Sequence, residues 1–121
     1  MTAVLELEEP GTRVATGWHR VCTVEDLEPG WGEAALISGQ QLALFRTPSG
    51  EVFAVAHEDP ATGAHVMARG ITGSRGARQT LASPLHKEVY DLRTGECLST
   101  PELSLATFAT RLVDGHLEVE L

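Results

Sequence analysis

The chain lacks any long hydrophobic run. Its apolar residues come in short segments, none near the roughly 18 consecutive apolar residues that a membrane-spanning helix needs. The opening stretch, residues 1–13, also lacks the basic start and apolar core of a secretory signal. We therefore expect a cytoplasmic protein that has no membrane segment and does not bind membranes.

Cysteines and basic residues are both scarce. Cys22 and Cys97 are the only cysteines, and in a chain without an export signal such a pair is more often two buried thiols than a disulfide. Lysine and arginine total 9 against 17 aspartates and glutamates, which gives a net charge of −8. Because phosphate groups would repel such a surface, the composition argues against a nucleic-acid partner.

The length sets the domain organisation. A chain of 121 residues can bury one hydrophobic core but is too short for two ordinary domains. Residues 1–13 are acidic, contain Pro10-Gly11 and show no sustained apolar period, so we predict a flexible N-terminal lead-in. Residues 14–121 are predicted to form a single domain.

The apolar segments have the length of β-strands and are bounded by glycine or proline, and no long amphipathic helix is present. Hairpin turns are predicted at Thr47–Gly50 and at Asp114-Gly115. Only Pro101–Thr107 has the residues of a helical turn. The pattern predicts an all-β sandwich or barrel. Its expected strands are Trp18–Val24, Glu33–Ile37, Leu42–Arg46, Val52–Val55, Thr80–Ala82, Glu88–Leu92, Cys97-Leu98, Phe108–Val113 and His116–Leu121.

One segment, Ala56–Gln79, has a different composition. Four glycines interrupt any period in it and polar residues dominate, so we predict a long loop. Long loops inside compact domains tend to be functional, and a binding surface is expected here.

The order of these segments resembles that of a Rieske domain between Trp18 and Leu121. The resemblance rests on three stretches separated by a Pro-containing loop and a short link, namely Val52–Val55, Ala82–His86 and Tyr90–Gly95. It implies an antiparallel β-sandwich or barrel with long apical loops and little helix. In that family, Cys-x-His and Cys-x-x-His motifs on two loops hold a [2Fe–2S] cluster.

Both ligand motifs are degenerate in this chain. The first would place Asp59 and Ala61 at the thiolate and imidazole positions, and the second would place Ser83 and His86 there. Alanine cannot bind iron, and one imidazole cannot hold a cluster. We therefore expect no metal and no cofactor in this chain.

A Rieske scaffold without its ligands resembles the small subunits of assimilatory NAD(P)H-dependent nitrite reductases. That resemblance implies a non-catalytic subunit that docks on a large subunit carrying FAD, an iron–sulfur cluster and siroheme, which reduces nitrite to ammonium. The implied docking loops contain Asp59, Pro60, Leu85 and His86. Further similar segments are Trp18–Cys22, Ala43–Arg46, Asp59-Pro60, Arg69–Ile71 and Ala82–Leu85.

Two other functions remain open for the same scaffold. One is a Rieske-type ferredoxin that carries electrons, and the other is a stand-alone protein-binding or regulatory module. A zinc or iron site at His57, Asp59 and His65 is weighed against an exposed polar loop, which the loose spacing favours. Ser83 and His86 do not form a hydrolase site, because no Gly-x-Ser-x-Gly elbow surrounds the serine.

Overall fold

The computed structural model describes residues 17–85 and 87–121, and antiparallel β-strands make up most of its regular structure. The predicted all-β class is confirmed. Short 3-10 helices occur at Val24–Asp26 and Met67–Arg69. The strands are β1 (Trp18–Thr23), β2 (Gly32–Ile37), β3 (Gln40–Arg46), β4 (Val52–Ala56), β5 (Ile71–Arg75), β6 (Arg78–Ala82), β7 (Val89–Asp91), β8 (Thr107–Phe108), β9 (Thr110–Val113) and β10 (His116–Glu120).

The strands of the described residues form three antiparallel sheets. The first has the order β1-β10-β9, the second β2-β3-β4-β8 and the third β5-β6-β7. β1 and β10 come from opposite ends of the domain, with Trp18 opposite Glu120. The chain therefore closes on itself, and the second sheet lies between two hydrophobic clusters.

Strand β3 explains this layering. Its run Leu42-Ala43-Leu44-Phe45 is buried without interruption, which is typical of a strand covered on both faces. Leu42 and Leu44 pack into a cluster with Ile37 and Leu117. Because alternate side chains of a strand point to opposite faces, Ala43 and Phe45 join the other cluster. The other cluster also contains Phe53, Val55, Met67, Leu81, Tyr90, Leu92, Cys97 and Leu105.

Both predicted hairpin turns are present. Thr47 and Glu51 close the β3–β4 turn through a backbone hydrogen bond of 2.8 Å, and Gly50 adopts a positive φ of 96°. Asp114 and Gly115 link β9 to β10 with φ values of 52° and 77°. Positive φ at both central residues is the conformation that Asp-Gly favours in tight hairpins.

The expected long loop over Ala56–Gln79 is wrong in part. The 3-10 helix Met67–Arg69 and strand β5 interrupt it, and β5 pairs with β6 along its whole length. β5 lies at the edge of its sheet and most of its residues are exposed. An exposed edge strand needs no apolar alternation, so no sequence pattern predicted β5.

The expected helical turn over Pro101–Thr107 is also wrong. A single turn closes there, with the Leu103 amide donating to the Thr100 carbonyl at 3.0 Å. The chain then extends, because the Leu105 amide bonds to Gly95 and Ser104 forms a bridge to Glu96. The predicted lead-in over residues 1–13 lies outside the described residues.

Candidate functional site

The structure brings the two degenerate thiolate positions together. Asp59 lies in the loop between β4 and β5, and Ser83 directly follows β6. The Ser83 hydroxyl donates a hydrogen bond of 2.7 Å to Oδ2 of Asp59. Both residues are buried, with exposed fractions of 0% for Asp59 and 2% for Ser83. A carboxylate and a hydroxyl thus join the two apical loops from inside.

The loop at Asp59 is a tight turn built around that carboxylate. Oδ1 of Asp59 accepts the Ala61 amide at 2.8 Å, which is the side-chain turn that aspartate commonly forms. The backbone carbonyl of Asp59 accepts the Gly63 amide at 2.7 Å, and its amide donates to Ala64 at 2.7 Å. Both carboxylate oxygens therefore have partners.

The loop at Ser83 is closed in a similar way. The Ser83 hydroxyl accepts the Leu85 amide at 3.2 Å, and the Ser83 carbonyl accepts the Lys87 amide at 3.1 Å. Lys87 has a positive φ of 60° at the end of this turn. His86, the remaining predicted ligand position, lies outside the described residues.

The described residues at these positions do not fit a [2Fe–2S] cluster. The side-chain oxygens at the two thiolate positions are hydrogen-bonded to each other, and the methyl side chain of Ala61 has no atom that can bind iron. The two thiols are elsewhere, with Cys22 opposite Leu117 in the first sheet and Cys97 opposite Tyr90. Within residues 17–85 and 87–121 no group of three or more His, Cys, Asp or Glu side chains is arranged to hold a metal ion.

The thiol of Cys22 is also a poor ligand. Burial raises its pKa to about 11, and the nearby carboxylates of Asp26 and Glu33 add to the shift. Because the thiolate is the form that binds metals and attacks electrophiles, this raised pKa lowers the reactivity of Cys22 at neutral pH. Of the two thiols expected to be buried, Cys97 is buried, whereas Cys22 is partly buried and packs against the cluster that contains Leu42 and Leu44.

The implied docking loops contain Asp59, but this residue is itself buried, with an exposed fraction of 0%. Exposed residues of the two loops include Ala61, Pro84 and Leu85, and Leu85 has an exposed fraction of 50%. Pro60 is partly exposed. Asp59 holds the shape of the loops, and its neighbours present the surface.

Tyr90 is a buried residue near these loops that the sequence did not single out. Its hydroxyl is buried and has no hydrogen-bond partner among the described residues. Burial raises the pKa of Tyr90 to about 12, and Cys97, Asp59 and Glu88 contribute further. The hydroxyl is therefore neutral at physiological pH.

His57 and His65 lie in the same loop as Asp59 but form no metal site with it. The rings of the two histidines are 6.1 Å apart, and Nδ1 of His57 accepts the Ala68 amide at 3.1 Å. Burial lowers the pKa of His57, and the neighbouring His65 and Arg69 lower it further. His57 is thus held neutral, with Nδ1 engaged by the backbone.

The helices of the described residues are all short. None is long and apolar enough to cross a membrane.

The chain is similar to a known protein family and to several known proteins. The family model described as the Rieske-like [2Fe-2S] domain matches residues 17–120. The nitrite reductase (NADH) small subunit of Salmonella typhimurium is 34% identical over 103 residues, which cover 84% of this chain and 95% of that protein. A nitrite reductase [NAD(P)H] large subunit from Klebsiella oxytoca is 28% identical over 102 residues, which are 84% of this chain but 11% of that protein.

Solved structures agree with this result. A crystal structure from Mycobacterium tuberculosis, assigned to an NADH-dependent nitrite reductase small subunit, has a TM-score of 0.84 and 38% identity. The match covers 89% of this chain and 97% of that one. The ferredoxin of carbazole 1,9a-dioxygenase from Nocardioides aromaticivorans has a TM-score of 0.73 at 22% identity, over 84% of this chain and 95% of its own, and shows the shared fold alone. The predicted Rieske-like architecture is confirmed.

Proposed function

The chain belongs to the Rieske-like [2Fe-2S] domain family and, within it, to the nitrite reductase (NADH) small subunits, and from this premise we propose that it is a non-catalytic subunit docking on a large catalytic subunit. On this proposal the large subunit carries FAD, an iron–sulfur cluster and siroheme. The assembled enzyme uses NAD(P)H to reduce nitrite to ammonium in the cytoplasm during nitrate assimilation. The present chain contributes no cofactor.

The observation that carries the proposal is the hydrogen bond between Asp59 and Ser83. These two residues stand at the positions from which the thiolates of a Rieske protein would bind iron, and the hydrogen bond joins the Ser83 hydroxyl to the Asp59 carboxylate. A chain that keeps this scaffold without the ligands has lost the chemistry of electron transfer. What it retains is a pair of apical loops of fixed shape.

A fixed loop shape is an advantage in binding. The turns at Asp59 and Ser83 are held by internal hydrogen bonds, so little conformational entropy is lost when a partner covers them. On our proposal Pro60, Leu85 and His86 belong to the docking surface, and Asp59 supports it from inside.

The Klebsiella oxytoca relative gives independent support. Only 11% of that large subunit is similar to this chain, so the similar region and the rest of the protein form one polypeptide. Two parts that are covalently joined in one organism are good candidates for association as separate chains in another. The binding partner we propose is accordingly a protein of that large-subunit kind.

Co-purification tests the proposal. Tagged chain is recovered from nitrate-grown cells, and the captured proteins are examined for the absorption spectrum of siroheme and for NAD(P)H-dependent nitrite reduction. We expect a siroheme-containing reductase in the captured material. Its absence, with an unrelated protein captured reproducibly instead, would support the stand-alone binding module and overturn the subunit proposal.

The ferredoxin alternative is favoured by the shared fold and needs a separate measurement. The chain is purified without oxygen, and iron and acid-labile sulfide are determined. We expect colourless protein with far less than one iron per chain. Brown protein with two irons and two sulfides per chain would establish a Rieske-type electron carrier instead.

A further inference from the structure

Two large apolar side chains are unusually exposed on the same side of the molecule. Trp31 has an exposed fraction of 66% and Ile71 of 72%, the highest values among the exposed large hydrophobic residues of the described chain. Both line one depression of about 760 Å³ between β2, the 3-10 helix Met67–Arg69 and β5. Exposed apolar residues grouped around a depression mark binding surfaces, and tryptophan is prominent among residues that dominate binding energy.

We name this depression the Trp31 groove. Its floor is tightly packed backbone. A Cβ atom at Gly32 would lie 2.1 Å from the carbonyl oxygen of Ala68, so only glycine permits this approach. The Thr72 hydroxyl donates to the Gly30 carbonyl at 3.3 Å and joins β5 to the segment before β2. The groove is therefore preformed.

Its polar lining consists mainly of hydrogen-bond donors. Nδ1 of His57 accepts a backbone amide, so neutral His57 carries its proton on Nε2 and can donate from there. Arg69 is exposed and forms no salt bridge with another described residue. His65 lies beside them, and the buried Glu33 is already engaged within the protein. These donor groups contrast with the chain as a whole, which has a net charge of −8.

We infer that the Trp31 groove is a second docking site for the large subunit, and that it accepts an extended segment with an apolar side chain next to a carboxylate. The apolar side chain would contact Trp31 and Ile71, and the carboxylate would pair with Arg69. This inference rests on the proposed function.

Continuity with the proposed docking loops identifies the occupant. The loop that carries Asp59 and Pro60 also supplies groove-lining residues, among them His65, and the bridge between Glu58 and His65 places the two regions next to each other. In the described part of the chain, β5 pairs only with β6, and its other edge is open. An open edge strand favours an extended partner segment.

Matched variants test the inference against purified large subunit by biolayer interferometry. Trp31→Ala is compared with Leu112→Ala, another exposed apolar residue that lines a different depression. Arg69→Glu is compared with Arg75→Glu, an exposed arginine at the far end of β5. We expect Trp31→Ala to raise Kd by about 30-fold and Arg69→Glu to raise it by about tenfold. Both control variants should stay within about twofold of the wild type.

The outcomes separate this inference from the proposed function. If the wild-type chain fails to bind the large subunit, the proposed function fails and the groove loses its occupant. If the wild type binds and the Trp31 and Arg69 variants bind as tightly as their controls, the groove inference is overturned while the subunit role stands. Should Leu85→Ala alone abolish binding, docking uses the apical loops only and the inference again fails.

Thermal unfolding of each variant guards against a folding defect. Trp31 and Arg69 are exposed, so the melting temperatures should match that of the wild type. If Trp31→Ala lowers the melting temperature, the comparison of Arg69→Glu with Arg75→Glu decides whether the groove binds the large subunit.

Discussion

At the scale of single residues, the hydrogen bond between Asp59 and Ser83 crosslinks the two apical loops. A buried carboxylate is costly unless its oxygens are hydrogen-bonded, and here Ala61 and Ser83 satisfy them. The Ser83 hydroxyl has a double role, because it also accepts the Leu85 amide. These hydrogen bonds hold the two loops in one arrangement.

Replacing Ser83 with alanine should destabilise the protein. The variant leaves Oδ2 of Asp59 and the Leu85 amide without this partner, and an unsatisfied buried group costs about 1–3 kcal/mol. Chemical denaturation monitored by circular dichroism measures the loss. Ser74→Ala, on the exposed edge strand β5, is the control and should change stability by less than about 0.5 kcal/mol. Equal stability of the two variants would show that the crosslink is unimportant.

Tyr90 leads to the opposite expectation. Its hydroxyl is buried without a partner in the described part of the chain, so its removal in Tyr90→Phe should leave stability unchanged or raise it by up to about 1 kcal/mol. Guanidinium denaturation provides the measurement. A loss of more than about 1 kcal/mol would mean that the hydroxyl has a partner beyond residues 17–85 and 87–121.

At the scale of secondary-structure elements, the residues proposed to form the docking surfaces lie at or next to the ends of strands. The loops after β4 and β6 carry Asp59 and Ser83, and the start of β5 carries Ile71. The buried strands β3 and β4 form a stable support for these segments, since β3 is covered on both faces. Variation at the loops therefore changes the surface without disturbing the core.

The packing of β2 against the 3-10 helix Met67–Arg69 depends on a glycine. In Gly32→Ala the new Cβ would lie 2.1 Å from the Ala68 carbonyl oxygen and 2.7 Å from the Phe45 ring. Such overpacking typically costs about 1–3 kcal/mol, because the backbone itself must shift. Thermal or chemical unfolding would show the loss.

Gly73 offers a matched control for that substitution. It also lies in a strand, and its nearest neighbour to an added Cβ is the Thr80 hydroxyl at 3.4 Å. Gly73→Ala should therefore change stability by no more than about 0.5 kcal/mol. Equal effects of the two alanines would contradict the tight approach at Gly32.

At the scale of the whole molecule, the second sheet links the two hydrophobic clusters. Leu42 and Leu44 contribute to one cluster and Ala43 and Phe45 to the other, all from strand β3. Both clusters therefore lose packing if β3 unfolds. The expectation of a single domain over residues 14–121 thus has a direct test.

The protein should unfold in one cooperative transition. Its two tryptophans lie in different regions, with Trp18 on β1 and Trp31 before β2, so the single-tryptophan variants Trp18→Phe and Trp31→Phe report on each region separately. We expect fluorescence and far-UV circular dichroism to give the same midpoint in each variant. Two distinct midpoints within one variant would instead indicate two independently folding units.

Much of this protein follows from its sequence alone. The Asp114-Gly115 and Thr47–Gly50 turns, the short strands and the missing ligand residues are local patterns, and local patterns follow from backbone conformation and side-chain chemistry. The resemblance to a Rieske domain rested on the same short segments. Edge strand β5 was not predicted, because most of its residues are exposed and it lacks the apolar alternation of half-buried strands.

Only the tertiary structure decided how the site works. Asp59 and Ser83 lie in different loops, and their hydrogen bond depends on how β4 and β6 are positioned in two separate sheets. The same holds for the burial of Asp59 and for the meeting of Trp31 with Ile71 in one groove. Contacts between distant segments result from packing of the whole core, which no local pattern encodes.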